Sequence, residues 1–160
     1  MKKGSLIILI LILIASIFIS GKLYLNRKKP SNYYYTNLLA KNLTICSKCE
    51  AKILDTNFYK TESLSSDDIQ TIKNFLSELK KSNFITKPVS IKEKAKYRYF
   101  FTFPETKEKY IINVYSTDYV SIHPWDGDFP VDCISTTTIP KRYNLYGLSI
   151  YVFSKEPNFD

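Results

Sequence analysis

The chain has 160 residues, with 23 Lys and Arg against 15 Asp and Glu and a formal net charge of +8 at pH 7. Residues 1–30 carry six of these basic residues and no acid, which leaves 17 basic against 15 acidic residues in the rest of the chain. Because the rest is nearly neutral, it lacks the extended basic surface that is typical of nucleic-acid-binding domains. We therefore expect no nucleic-acid partner.

The N-terminal segment has the pattern of an export or anchoring signal. Two lysines precede an apolar run over residues 6–19, and small residues close it. Residues 5–21 form a stretch of 17 residues, which is at the short end of the length that spans a bilayer. The residues before Lys22 fit the small-residue rule of signal peptidase poorly. We therefore predict an uncleaved single-pass anchor, in contact with the lipid bilayer through residues 5–21, rather than a cleaved signal.

The orientation of this anchor depends on its charged flanks. Two lysines and the amino terminus precede the run, and four basic residues follow it within residues 22–29. The positive-inside rule therefore slightly favours a cytosolic domain. The short basic start and the small-residue end resemble an export signal instead. We give this second pattern more weight and expect a cell-membrane protein with its domain on the extracytoplasmic side.

The chain is predicted to divide into three regions. Residues 1–30 are the membrane anchor with its basic flanks, and residues 31–45 are predicted to form a membrane-proximal linker helix. Tyrosines in this second region could lie at the depth of the lipid headgroups. Residues 46–160 are predicted to form a single α+β domain, since the length after the anchor is sufficient for one hydrophobic core.

One helix is clearly predicted at residues 66–82. Ser65 precedes Asp68 by three residues, as in a capping box, and acidic residues in the first turn favour the helix dipole. Apolar residues then recur at helical spacing. They are Ile69, Ile72, Phe75, Leu76 and Leu79. This spacing predicts one buried helix face that packs on a sheet.

The strands are predicted from alternating or aromatic-rich segments separated by turn residues. They cover residues 51–56, 58–62, 96–103, 110–115, 119–123, 129–135 and 148–153. The first two segments and the next two are each predicted to form a hairpin. Strands on both sides of one helix, joined by short turns, indicate the α+β class, with an antiparallel sheet packed against one main helix after an N-terminal transmembrane helix.

Several short motifs together resemble an uncharacterised family of small exported domains from low-GC Gram-positive bacteria. The motifs are YYYTN at residues 33–37, the capped helix, YIINVY at 110–115, HPWDGD at 123–128 and IPKRYNLY at 139–146. The resemblance covers most of residues 31–155 and implies a location and a fold without an activity. It also implies a lipoprotein signal, but the position of the lipid-bearing cysteine is occupied by Lys22.

The three cysteines leave several hypotheses open. Cys46 and Cys49 form a C-x-x-C pair, and Cys133 and His123 complete a set of candidate zinc ligands. Zinc would require all four side chains to converge on one point. A redox dithiol would require the pair at a helix N-terminus after a strand, whereas a predicted strand follows Cys49 here. A disulfide between two of the three cysteines, or three unbonded thiols, are the remaining alternatives.

Acidic residues and the single histidine are candidates for cation binding or acid–base chemistry. Asp126, Asp128 and Asp132 could form a calcium loop, but calcium requires six to eight oxygen ligands, so we interpret them as a polar turn. His123 could act as a general base beside Asp126. Since no activated nucleophile accompanies it, we interpret His123 as a hydrogen-bonded residue at a strand end.

Basic residues are concentrated after the predicted helix and could bind an anionic surface. They are Lys80, Lys81, Lys87, Lys92, Lys94, Lys96 and Arg98. The simpler interpretation is a solvated helix end and loop. The functional interpretation is a patch for lipid headgroups or wall polymers.

These observations favour a membrane-tethered extracytoplasmic binding module that is not an enzyme and requires no cofactor. An aromatic sheet face or the basic patch would bind an envelope protein or an anionic wall polymer. The alternative hypothesis is a thiol-redox or metal-dependent envelope factor centred on Cys46 and Cys49, with Cys133 and His123. An immunity or toxin-neutralising protein is indistinguishable in sequence from the first hypothesis.

Overall fold

A computed structural model describes residues 12–20, 33–86, 94–125 and 131–155. The chain divides into two compact units, Met1–Ser31 and Asn32–Asp160, which we describe separately. In the first unit, residues 12–20 are helical. Within the described residues, no helix combines the length and the apolar character that a membrane span requires. The remaining parts of the predicted anchor, residues 5–11 and residue 21, lie outside the described residues.

The second unit is built on a seven-stranded sheet in which every pair of neighbouring strands is antiparallel. The strands are β1 Glu50–Asp55, β2 Lys60–Ser63, β3 Phe84–Ile85, β4 Tyr97–Phe103, β5 Glu108–Val114, β6 Tyr119–Pro124 and β7 Asp132–Ser135. Their order across the sheet is β2-β1-β4-β5-β6-β7-β3. Both predicted hairpins are present, as β1–β2 and β4–β5.

The described residues of this unit also form three helices and two short 3-10 turns. The helices are α1 Tyr34–Ile45, α2 Ser66–Glu78 and α3 Leu145–Ser154, and the 3-10 turns are Lys81–Asn83 and Lys141–Tyr143. The helices share one hydrophobic core with alternate residues of the strands, such as Tyr99, Phe101 and Ile112. Because alternate strand residues point to one face of a sheet, all three helices cover the same face. The fold is therefore α+β, with three helices in place of the single main helix that was predicted.

Helix α2 confirms the clearest prediction from the sequence. The capping box is present, because the Ser65 backbone N–H donates to Asp68 Oδ2 at 2.9 Å and the Asp68 N–H donates to Ser65 Oγ at 3.3 Å. Ile72, Phe75 and Leu76 are buried, while the two other predicted core positions are partly buried against the same core. The helix ends at Glu78, four residues before the predicted end.

The prediction of a strand at residues 148–153 was wrong, because this segment lies in helix α3. The Asn144 side chain caps the helix by accepting hydrogen bonds from the backbone N–H groups of Tyr146 and Gly147 at 3.0 and 3.3 Å. Leu145, Leu148 and Val152 are buried at helical spacing. The segment is apolar on nearly every side, so its sequence periodicity does not distinguish a buried helix from a buried strand.

Two further boundaries differ from the sequence analysis. The helix predicted within residues 31–45 is α1, and its residues Tyr35, Leu39 and Leu43 are buried in the core of the second unit. Helix α1 is therefore part of the domain, and the compact unit begins at Asn32 rather than at residue 46. The strand predicted at residues 129–135 is β7, which begins at Asp132, while residues 129 and 130 lie outside the described residues.

Candidate binding face of the sheet

The face of the sheet opposite the three helices, here called the second face, carries the candidate site. Cross-strand register aligns its side chains in two rows. One row contains Lys52, Phe100, Ile111 and His123, and the other contains Leu54, Arg98, Asn113, Ser121 and Cys133. Most of these residues are absent from the hydrophobic core, because their neighbours along each strand fill it.

Two aromatic rings line a pocket on this face. The rings of Phe100 and Trp125 are 4.9 Å apart between centroids. The Trp125 backbone N–H donates to the Lys109 carbonyl at 3.1 Å, and Lys109 Nζ lies 5.5 Å from the centre of the indole ring. The pocket has a volume of about 350 Å³ and is lined by Glu50, Lys52, Thr61, Phe100, Thr102 and Trp125. Trp125 is 47% exposed, so part of its ring is available to a ligand.

A hydrogen-bonded pair of polar side chains lies on strands β5 and β6 of the same face. Asn113 Nδ2 is 2.9 Å from His123 Nε2, and His123 Nδ1 is 2.6 Å from the Pro124 carbonyl oxygen. Because a carbonyl only accepts hydrogen bonds, Nδ1 carries the proton and Nε2 accepts from the asparagine amide. Burial lowers the pKa of His123, the positive charge of Arg98 lowers it further, and the bond to Pro124 opposes both. His123 is therefore neutral at pH 7.

Two buried polar atoms on the second face have no hydrogen-bond partner in the described part of the chain. They are Arg98 Nε and Asn113 Oδ1. These residues stand directly opposite each other on β4 and β5. An unsatisfied buried donor or acceptor costs about 1 to 3 kcal/mol, so such groups are rare in native proteins and require an explanation.

The acidic candidates are not assembled with His123. Asp132 lies on the helix-covered face, where its Oδ2 atom accepts hydrogen bonds from Thr36 N and Thr36 Oγ1, both at 2.8 Å. Burial raises the pKa of Asp132, and the bonds from Thr36 counteract this rise. Its role is to cap the N-terminus of α1. Asp126 and Asp128 lie outside the described residues, so the calcium loop and the His123–Asp126 pair stay predictions.

The cysteines and His123 are not brought together as a zinc site. Cys46 and Cys49 are partly buried against the helix-side core, whereas Cys133 and His123 point to the second face. Among residues 12–20, 33–86, 94–125 and 131–155, no group of three or more His, Cys, Asp or Glu side chains could hold a metal ion. None of the three cysteines is disulfide-bonded in the structure.

The C-x-x-C pair does not have the electrostatics of a reactive dithiol. Burial raises the pKa of the Cys49 thiol to about 11, the neighbouring Cys46 adds to this rise, and Lys73 opposes it. Reactive cysteines have lowered pKa values, because the thiolate is the nucleophile. At neutral pH, Cys49 is therefore an almost fully protonated thiol.

The predicted basic patch is divided between separate places. Lys80 and Lys81 lie next to β3 at one edge of the sheet, while Lys94, Lys96 and Arg98 lie at the start of β4, four strands away or about 19 Å. Lys94 Nζ donates to the Thr56 carbonyl at 3.0 Å, and Lys96 Nζ lies 5.4 Å from the centre of the Tyr146 ring. Lys87 and Lys92 lie outside the described residues. Among the described members, only Arg98 belongs to the second face.

The sequence analysis did not select Phe100 or Asn113 as site residues. A signal for them was present, because Arg98, Phe100 and Thr102 alternate with the buried residues of β4. Asn113 is a polar residue within the otherwise apolar segment of β5. Alternation alone indicates which residues share a face, but the pairing of β4 with β5 and β1 was required to place them together.

Comparisons with known proteins identify the family of this chain and a solved structure with a similar fold. The sequence profile of the family described as "Domain of unknown function (DUF4883)" matches residues 29–149. A search of curated proteins finds no match. A crystal structure of a "Putative Lipoprotein from Clostridium perfringens" is similar, with a TM-score of 0.70 and 33% sequence identity over 79% of this chain and 99% of that one. Both findings agree with the resemblance to an uncharacterised, lipoprotein-like family of Gram-positive bacteria.

Proposed function

Because the chain belongs to the family of the domain of unknown function DUF4883, we propose a function from the chain's own surface. The protein is a membrane-tethered extracytoplasmic binding module that is not an enzyme. Its binding surface is the second face of the sheet around Phe100 and Trp125. Its partner is a component of the cell envelope.

The aromatic pair carries this proposal. Trp125 is half exposed and packs against Phe100 over a pocket of about 350 Å³. Tryptophan is among the residues that contribute most to binding energy, because a large apolar ring is combined with one N–H donor. The helices cover only the opposite face of the sheet, so the described part of the chain leaves this ring available to a partner.

The tether is supported by the N-terminal sequence and by the structural relative. Residues 5–21 have the apolar character of an anchor or export signal. The similar protein from Clostridium perfringens is described as a "Putative Lipoprotein", and lipoproteins are held at a membrane by a covalently attached lipid. Lys22 stands where a lipid would be attached, so we propose that the apolar segment itself anchors this chain.

Binding to the envelope is tested by cosedimentation of the full chain, in detergent micelles, with purified cell-wall preparations. We expect the wild-type protein to sediment with the wall and Trp125→Ala or Phe100→Ala to remain in the supernatant. Tyr151→Ala is the matched control, because Tyr151 is an exposed aromatic residue on α3, in the helix layer. Equal sedimentation of all four proteins, or of none, would contradict the proposed surface.

Topology is tested in intact cells. An anchored extracytoplasmic domain should stay in the membrane fraction after carbonate washing, and external protease should degrade the residues beyond about 31. A processed form in the medium would contradict the anchor. Protection of the domain from external protease would contradict the orientation.

A further inference from the structure

The pocket beside Phe100 and Trp125, here called the aromatic pocket, contains an open apolar corner. The two rings are 4.9 Å apart between centroids and are inclined at 50°, so they meet at an angle instead of lying flat on each other. Trp125 is 47% exposed, and Phe100 is partly exposed. A flat apolar surface of a ligand can therefore lie on the indole ring and also touch Phe100.

Four polar side chains surround this corner, and all of them are accessible from solvent. Glu50, Lys52 and Thr61 are exposed, and Thr102 is partly exposed. The strand register places them together, because Glu50 pairs with Thr102 and Lys52 pairs with Phe100 across β1 and β4. In the described part of the chain, none of these four side chains forms a hydrogen bond or an ion pair. Their donors and acceptors are therefore available to a ligand.

The formal charges of the pocket lining cancel. Glu50 is its one acidic member and Lys52 is its one basic member. Lys109 adds a single positive charge beside the pocket, where its Nζ atom lies 5.5 Å from the centre of the indole ring. A site for a polyanion would present an excess of cations, because complementary charge is what attracts and selects such a partner. The charge of the lining therefore suits a ligand unit that is polar but neutral.

The size of the pocket suits a small ligand unit rather than a protein surface. Its volume is about 350 Å³ and six residues line it. Pockets for small ligands have volumes of about 300 to 1,000 Å³. A stable protein–protein interface instead uses about 20 to 30 residues on each side. A single unit of a polymer, bound one at a time, matches the dimensions of this pocket.

A sugar ring has the required combination of apolar and polar surfaces. The C–H groups on one face of the ring carry a slight positive charge, which is attracted to the negative face of an aromatic ring. The hydroxyl and acetamido groups at the edge of the ring donate and accept hydrogen bonds. A carboxylate accepts such bonds, an ammonium group donates them, and a threonine hydroxyl does both. A wholly apolar ligand would instead remove Glu50 and Lys52 from water without a partner, which is unfavourable.

We propose that the aromatic pocket binds a neutral sugar unit of the cell-wall glycan. The sugar ring stacks on Trp125 and touches Phe100, while its polar groups form hydrogen bonds with Glu50, Lys52 and the two threonines. This assignment of the ligand class rests on the proposed function of the second face as the surface that binds the envelope.

The test follows the fluorescence of Trp125, which is the single tryptophan of the chain. The full chain, in micelles of a detergent without a sugar headgroup, is titrated with the tetramer of N-acetylglucosamine and, separately, with poly(glycerol phosphate). We expect a saturable change in emission with the sugar and at least about tenfold weaker binding of the polyanion. Glu50→Ala should weaken the binding of the sugar at least about tenfold, because hydrogen bonds to a charged group are lost.

Glu62→Ala is the matched control for Glu50→Ala. Glu62 on β2 stands opposite the buried residue Ile53, and it therefore belongs to the helix-covered face of the sheet. This variant should bind the sugar as the wild type does. The comparison of sugar with polyanion uses the wild type alone, so it is valid even if a variant does not fold.

The absence of a saturable change up to about 10 mM sugar would overturn the sugar assignment. Equal affinity of the two glutamate variants would also overturn it, and so would tighter binding of poly(glycerol phosphate), since the pocket would then be an anion site. Wall binding that depends on Phe100 and Trp125, without binding of the sugar, would overturn the sugar assignment alone. The proposed function fails separately, if wall binding does not depend on these two rings.

Discussion

Asp132 on β7 holds the first turn of helix α1 through Thr36, a residue 96 positions earlier in the chain. One carboxylate oxygen accepts from both the backbone N–H and the hydroxyl of Thr36, each at 2.8 Å. Tyr33, the residue immediately before the first residue of helix α1, provides no side-chain cap for this helix. The first helix of the domain is therefore capped by a side chain from strand β7, which holds the start of this helix against the sheet.

Loss of this tertiary cap should destabilise the domain. We expect Asp132→Ala to lower the free energy of unfolding by about 1.5 to 3 kcal/mol, because two buried donors lose an ionised acceptor. Thr36→Val removes only the hydroxyl and should cost about 0.5 to 1.5 kcal/mol. Urea unfolding followed by Trp125 fluorescence measures both values. A loss below about 0.5 kcal/mol for Asp132→Ala would show that the cap is unimportant.

The buried face of α2 should contribute strongly to stability. Phe75 has no exposed surface and lies in the shared core. Phe75→Ala should therefore cost about 3 to 5 kcal/mol, through lost burial and the cavity that remains. Thr71→Ala, at a partly exposed position of the same helix, is the control and should change stability little. A loss below about 1 kcal/mol for Phe75→Ala would contradict the assigned face.

The pH dependence of stability should report the capping box of α2. Burial raises the pKa of Asp68, but hydrogen bonds from Ser65 and the ion pair with Lys155 outweigh this effect and hold it below 3.8. An acid whose pKa is lower in the folded state contributes stability above its unfolded pKa and loses it as the pH falls through the folded pKa. The stability difference between wild type and Asp68→Asn should therefore shrink below pH 3.8. A difference that is constant from pH 7 to pH 3 would contradict this role.

The reactivity of Cys49 should follow its raised pKa. With Cys46 and Cys133 replaced by serine, alkylation of Cys49 by iodoacetamide at pH 8 should be at least about tenfold slower than that of an unhindered thiol. The rate should rise until the pH approaches about 11. Unfolding in urea should restore the ordinary rate. Fast alkylation of the folded protein at pH 8 would restore the redox hypothesis.

The sequence was sufficient for the elements whose local signals agree. Ser65 and Asp68 specify the start of α2, and the apolar spacing after them specifies its buried face. Helix α3 was missed because its apolar residues occur on almost every side, and only the Asn144 cap marks its start. The candidate site depends on pairing between distant segments. Lys52 on β1 and Phe100 on β4 are neighbours only because these two strands pair in the observed register. Such pairing is not encoded within a local window.

The dependence on strand pairing also explains why the arrangement of the cysteines could not be predicted from the sequence. Cys46 and Cys133 could be read from the sequence as partners, but the sheet separates the helix-side core from the second face. The register of β7 with β6 determines which face of the sheet Cys133 occupies. A shift of one residue in this register would place Cys133 on the other face.

The indole N–H resonance of Trp125 provides the most direct test that the second face is a binding surface. The chain has one tryptophan, so a nitrogen-15-labelled sample gives a single indole signal that requires no further assignment. We predict that soluble cell-wall fragments, added to the full chain in detergent micelles, shift this signal in a saturable manner, and that Phe100→Ala abolishes the shift while Tyr151→Ala retains it. An indole signal that stays unchanged while the fragments bind the protein would contradict the account.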